Sequence, residues 1–193
     1  MGLPIVRAGV RLQGLPGLTR LLGVGMPVGK VAATALGPDC FPVRALLFDK
    51  TEATNWALGW HQDRTIVVRE RREAPGFGPW TIKSGLQHVA PPVDVLARMV
   101  TLRVHLDPVP ESNAPLQVAL GSHRLGMVSE AVVDDVVARS EILTCLAERG
   151  DVWLYRTLVL HASAAASCPA RRRVLQVDYA AAPLPNGLEY LGV

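Results

Sequence analysis

Apolar residues recur along this chain in short runs broken by Gly and Pro, rather than in long stretches of helical period. Runs of this kind predict strands at residues 43–48, 56–61, 63–69, 100–106, 116–119, 152–154, 157–161 and 173–179. Helical spacing is confined to a few places. Residues 15–22 form one short stretch, and Pro92 suits the first turn of another that ends at Met99. Ser129 is placed to cap a third, with Val132, Val133, Val136 and Val137 on one stripe. Residues 70–92 carry Pro75, Gly76, Gly78, Pro79, Pro91 and Pro92 and read as one long connection. Connections of that length in compact domains commonly act as lids or binding loops. Many short strands with few helices predict a mainly β, antiparallel sandwich or barrel.

Composition narrows the class. A chain of 193 residues with 49% hydrophobic positions fits one domain with a real core, here taken as 1–193 with residues 1–40 as an amino-terminal arm and helix packing on it. No run approaches the length of a membrane span. The net charge of +3 comes from Arg7, Arg11, Arg20 and Lys30 set against Asp39, and the rest of the chain is balanced. No dense Lys/Arg stripe is present, so a nucleic-acid partner is not expected. Cys40, Cys145 and Cys168 are odd in number, far apart and outside any CxxC pattern, which fits reduced thiols in a cytoplasmic protein.

The chemistry concentrates in His61-Gln62-Asp63 and in His161. Side chains at i and i+2 of a strand share a face, so His61 and Asp63 converge while Gln62 points away. Two imidazoles and a carboxylate bind one side of a non-haem Fe(II) and leave the other open. His161 closes an apolar run and is followed by Ser163 and by Arg171-Arg172-Arg173. An arginine fork is suited to a carboxylate. Alternation puts Arg172, Val174, Gln176 and Asp178 on one face and Arg173, Leu175, Val177 and Tyr179 on the other. The second face is the more apolar and, taken alone, sends Arg173 to the core. A sheet covered by helices is apolar on its outer face too, which leaves Arg172 open.

Four segments together resemble the phytanoyl-CoA dioxygenase family of Fe(II)/2-oxoglutarate-dependent oxygenases. They are Leu58-Gly59-Trp60-His61-Gln62-Asp63, the run from Asn113 through Gly121-Ser122-His123-Arg124, Gly150-Asp151-Val152-Trp153-Leu154 leading to His161-Ala162-Ser163, and Arg172-Arg173-Val174-Leu175-Gln176-Val177-Asp178-Tyr179. The resemblance implies a double-stranded β-helix, or jelly roll, with a few flanking helices. It implies His61, Asp63 and His161 as iron ligands, and Arg172 and Ser163 as partners of the distal carboxylate of 2-oxoglutarate. The implied cofactors are Fe(II), 2-oxoglutarate and O2, and the implied reaction is hydroxylation of a small molecule with release of succinate and CO2. A carboxylate at position 63 fits oxygenation, since related halogenases keep a small residue there. The sequence departs from the family at Ala114, where Gly is usual, and at Leu120, where Pro is usual.

Trp80 and His88 in the long connection are candidate substrate contacts. Thr101, Arg103 and His105 share one strand face toward a pocket, and Lys50, Asn55 and Trp60 stand near the metal motif. His123 is expected to serve its turn structurally. Two other readings remain beside the oxygenase: a jelly roll that binds a small ligand without turnover, and a cupin-like metal hydrolase or isomerase.

Overall fold

A computed structural model describes residues 9–193. Its elements, in chain order, are β1 (Val10–Leu12), α1 (Pro16–Leu22), α2 (Pro27–Leu36), β2 (Phe41–Lys50), β3 (Leu58–His61), β4 (Ile66–Val68), β5 (Trp80–Lys83), β6 (Leu86–Val89), α3 (Val93–Ala97), β7 (Val100–His105), β8 (Leu116–Ala119), α4 (Val133–Ala138), β9 (Ile142–Cys145), β10 (Val152–Arg156), β11 (His161–Ser163) and β12 (Arg172–Ala180). Every pairing is antiparallel. The major sheet runs β1-β2-β12-β7-β10 and the minor sheet β3-β11-β8-β9. These are the two faces of a jelly roll, and the cavity lies between them. A third, small sheet runs β4-β6-β5.

The major sheet has two unlike faces. Its outer face carries Ala45, Val100, Leu102, Leu175, Val177 and Tyr179, packed with Leu22 of α1 and Ala32 of α2. The buried Tyr179 hydroxyl donates to the Leu22 carbonyl at 2.9 Å, which ties α1 to the sheet. With helices covering the outer face, the inner face is free to carry polar groups. Arg44, Leu46, Phe48 and Lys50 of β2, Arg172 and Gln176 of β12, and Arg103 of β7 all line one cavity.

Several elements differ from the sequence reading. Residues 70–92 are not an open connection: β5 and β6 form a hairpin, and β6 pairs with β4. The hairpin belongs to a core of Ile66, Val68, Phe77, Val89, Leu96, Met99 and Leu158. Residues 157–161 are not one strand. Thr157 to Leu160 turn the chain out of β10, and His161 opens β11 in the opposite sheet. The turn is apolar because Leu158, Val159 and Leu160 are all buried in it, which is why its pattern resembles a strand. Ser129 makes no side-chain capping bond, and a short 3-10 turn over Glu130–Val132 precedes α4. Strand β9 and helix α2 escaped the pattern. Helix α2 reads as small residues punctuated by Gly and Pro, and its Gly29 is needed at a close crossing.

At that crossing a Cβ on Gly29 would lie 2.2 Å from the Gly23 carbonyl oxygen, whereas one on Gly17 in α1 meets nothing within 4 Å. Gly29→Ala is therefore expected to destabilise the fold by about 1–3 kcal/mol through overpacking. Gly17→Ala should be neutral or stabilise by up to about 1 kcal/mol through helix propensity. Urea denaturation of the two variants measures this. Equal midpoints would show that the helices do not meet as described.

Candidate metal and co-substrate site

Strand pairing assembles the two histidines. His61 ends β3 and stands directly opposite His161 of β11. Their ring centroids are 4.2 Å apart with the planes tilted by 56°. Each ring is fixed the same way. Nδ1 of His61 lies 2.8 Å from the Gly59 carbonyl, and Nδ1 of His161 lies 3.0 Å from that of Val159. A carbonyl only accepts, so both Nδ1 atoms carry the proton and both Nε2 lone pairs stay available. That second interaction is the usual way a metal-binding imidazole is oriented. Burial drives the pKa of His161 down to about 4, so its ring is neutral.

Asp63, two residues past His61, lines the same cavity. Burial pushes its carboxyl up, but the Arg44 guanidinium beside it outweighs that and holds it below the ordinary range. The Arg44 guanidinium is 3.3 Å from Asp63 Oδ2, and Gln176 Nε2 donates to the same oxygen at 3.3 Å. Both contacts fall on Oδ2. The donors are gathered but not closed: among the described residues no three His, Cys, Asp or Glu side chains stand as a ready cage. Two imidazole nitrogens and one carboxylate, confined to one wall, fit a divalent transition metal with open positions.

Two polar residues hold these strands in place. Gln62 alternates away from Asp63 and is 3% exposed. Its amide donates to the Gly126 and Leu158 carbonyls at 2.9 and 2.6 Å and accepts from the Val128 amide at 2.8 Å. Ser122 donates to the Ala119 carbonyl at 2.7 Å and accepts from the Leu160 amide at 2.9 Å. The Gly-Ser-His turn thereby fixes the residue just before His161. These roles were missed from sequence. The available signal was a polar side chain in an otherwise apolar setting. His123 lies beside Ser122 in the 3-10 turn and does not line the cavity.

The other end of the cavity is cationic. Arg172 is 4% exposed and donates only to the carbonyls of Asn113 and Ala114. Ser163 donates to the same Ala114 carbonyl at 3.1 Å. Ala114 has φ of 53°, a left-handed conformation that suits Gly better. Burial, followed by the nearby Arg103, lowers the Arg172 pKa to about 10. Lys50, opposite Arg172 in the sheet, donates to the Trp56 carbonyl at 2.6 Å and sits over the Trp56 ring. Burial, then Arg172 and Arg103, bring its pKa down to about 8. Arg173 faces the other way, paired with both oxygens of Asp107 at 2.9 and 2.7 Å, and Arg171 is paired with Asp49.

The remaining candidates fall into place by their contacts. Arg103 and Lys50 line the cavity, as does Arg44, which was not foreseen. Thr101 lies beneath it, donating to Asp178 at 3.0 Å, and Asp178 is itself paired with Arg44. Asn55 ties down the Ala166 backbone, and Trp60 packs outward near Val133. His105 is buried close to Arg103 and Arg172. Trp80 and His88 do not line the cavity. Trp80 packs on the hairpin core, and His88 is 1% exposed with Thr65 as its partner.

The phytanoyl-CoA dioxygenase sequence profile matches residues 27–174. No curated protein matches the chain significantly by sequence. Solved structures with the same fold include EctD from S. alaskensis with 2-oxoglutarate and 5-hydroxyectoine, at TM-score 0.67 and 21% identity over 96% of this chain and 60% of that one. The same protein with bound Fe gives 0.64 and 21%, over 92% and 57%. The non-heme alpha ketoglutarate dependent carbocyclase SnoK from nogalamycin biosynthesis gives 0.58 and 16%, over 92% and 62%. This chain thus spans less than two thirds of each of these relatives.

Three buried histidines set a pH dependence. His88, His105 and His161 each have a pKa lowered to about 4, in every case first by burial. Between about pH 6.5 and pH 4 the unfolded chain binds these protons and the folded chain does not. Stability is therefore complete above that window and is lost as the pH falls through it. The thermal midpoint of the metal-free chain should drop between pH 7 and pH 5. A midpoint that holds or rises would contradict the neutral, buried imidazoles.

Proposed function

The chain belongs to the phytanoyl-CoA dioxygenase family, and we propose that it is an Fe(II)- and 2-oxoglutarate-dependent oxygenase that hydroxylates a small molecule. One observation carries this reading. A single cavity has His61, Asp63 and His161 at one end, with both Nε2 atoms free, and at the other a buried arginine without an acidic partner among the described residues. A dicarboxylic keto acid spans such a pair of ends. A simple hydrolytic metal centre leaves Arg172 without a purpose, and a metal-free ligand pocket leaves His61, Asp63 and His161 without one.

In this reading His61, Asp63 and His161 hold the iron, which when bound supplies dioxygen activation coupled to decarboxylation of the keto acid. The balance is R–H, O2 and 2-oxoglutarate going to R–OH, succinate and CO2. Arg172 binds the distal carboxylate and Ser163 turns its hydroxyl to the same group. Leu46, Phe48, Leu58 and Leu116 line the walls; these apolar side chains limit water and strengthen each charge contact. Asp63 occupies a ligand position that keeps the outcome to oxygenation. Gln62 and Ser122 act through position alone, by holding β3 and the entry to β11. Cys40, Cys145 and Cys168 are all free thiols, which supports a reducing, cytoplasmic setting. No helix among the described residues is long and apolar enough to cross a membrane.

Incubating the purified chain with Fe(II), ascorbate and 2-oxoglutarate, and measuring succinate, tests the proposal. Metal-dependent succinate is expected, and its absence would overturn the reading. Arg172→Leu should raise half-saturation by 2-oxoglutarate by roughly 30-fold to several thousand-fold, since an unpaired buried carboxylate costs about 2–5 kcal/mol. Arg173→Leu, outside the cavity, should stay within about threefold.

A further inference from the structure

Matching each charge of the cavity to a partner leaves one arginine over. Arg44 is answered by Asp178. In the function proposed above, Asp63 and the C1 carboxylate offset the divalent ion, and Arg172 takes the distal carboxylate. Lys50 already has two carbonyls and the Trp56 face as partners, and a lysine can shed its charge. An arginine does not. Arg103 has no carboxylate within ion-pair distance among the described residues, yet it is only 8% exposed.

The polar atoms around Arg103 are also incompletely used. Its Nη1 donates to Gln176 Oε1 at 2.9 Å, and its guanidinium rests over the Phe48 ring. Its Nε–H is buried with no acceptor. The buried hydroxyl of Tyr155, on the neighbouring β10, lies beside Arg103 behind the cavity wall. A buried, unmatched cation with an idle donor beside it is costly unless the working complex supplies an anion.

The backbone of Arg103 is set back along the sheet from the co-substrate anchor, though its guanidinium is near enough to act on Arg172. Arg103 is opposite Gln176 in the sheet, whereas Arg172 is four residues further along β12. That is about 13 Å of strand. Gln176 in turn touches Asp63, so Arg103 is joined through Gln176 to the metal end of the cavity. We propose that Arg103 anchors an acidic group of the molecule being oxidised, so the substrate is a small carboxylic acid. Arg103 lines the cavity, and its guanidinium supplies the charge and the N–H donors for that group. This inference rests on the iron and 2-oxoglutarate reading of the same cavity.

The test uses the whole chain loaded with Ni(II), which does not turn over, and with saturating 2-oxoglutarate. Propionate, inorganic phosphate and methylammonium are titrated at matched ionic strength, and the fluorescence of Trp56, which borders the cavity, is followed. Saturable binding of propionate alone is expected. Arg103→Gln should weaken it at least about tenfold while leaving 2-oxoglutarate affinity, measured by calorimetry, within about threefold. Arg103→Lys, which keeps the charge, should restore part of the propionate response and reports on the site if the Gln variant misfolds. Three results would overturn the proposal: no saturable propionate response, a preference for phosphate, or a loss of 2-oxoglutarate affinity in Arg103→Gln as large as in Arg172→Gln. The last would make Arg103 part of the co-substrate anchor. Repeating the propionate titration without metal separates the two readings. If 2-oxoglutarate fails to bind the wild-type chain, the oxygenase reading falls, whereas an Arg103-dependent propionate site would still stand.

Discussion

The pairing of β3 with β11 is the constraint on which the site depends. It sets His61 directly across from His161. Each ring is then oriented by the carbonyl two residues before it. A one-residue slip of either strand would send its histidine to the opposite face. The strands are short, so pairing alone specifies register weakly. Gln62 and Ser122 supply the rest through buried bonds to the segments that flank the two histidines. Removing either would leave backbone groups buried without partners, at about 1–3 kcal/mol each.

The major sheet meets the opposite problem, how to keep charges inside. Its outer face is sealed by α1 and α2, so the fold draws apolar burial from there. The inner face can then carry Arg44, Lys50, Arg103, Arg172 and Asp178. Asp178 and Arg44 neutralise each other, with Thr101 as a further donor. Burial first, and then the neighbouring cations, lower the pKa values of Arg172 and Lys50. A cavity in this state is preorganised for anions. The same arrangement leaves Asp63 drawn toward Arg44 and Gln176, so metal binding has to compete with these two contacts for one carboxylate oxygen.

Much of this was legible in the sequence because strand chemistry is local. The i, i+2 relation of His61 and Asp63 needs no tertiary knowledge, nor does the β-rich architecture. The facing of Arg172 was legible only with the thought that helices cover the other side of β12, since alternation by itself pointed to Arg173. What was not legible depended on partners far along the chain. Residues 70–92 looked like an open loop because Gly76, Gly78 and Pro79 punctuate it, yet β6 finds β4 and the hairpin becomes core. Trp80 and His88 went with it, away from the cavity. Arg44 was not foreseen as a cavity residue, because its place is set by its pairing with Asp178, 134 residues later.

The central claim is that one cavity binds a divalent ion and a keto acid together. Anaerobic titration of Fe(II) and 2-oxoglutarate into the purified chain, followed by visible absorption, addresses it most directly. Chelation of Fe(II) by the keto acid gives a metal-to-ligand charge-transfer band that neither component gives alone. We predict that the band appears, saturates at one equivalent of each, and is absent from His161→Ala. A featureless spectrum, or a band that survives the loss of His161, would contradict the account.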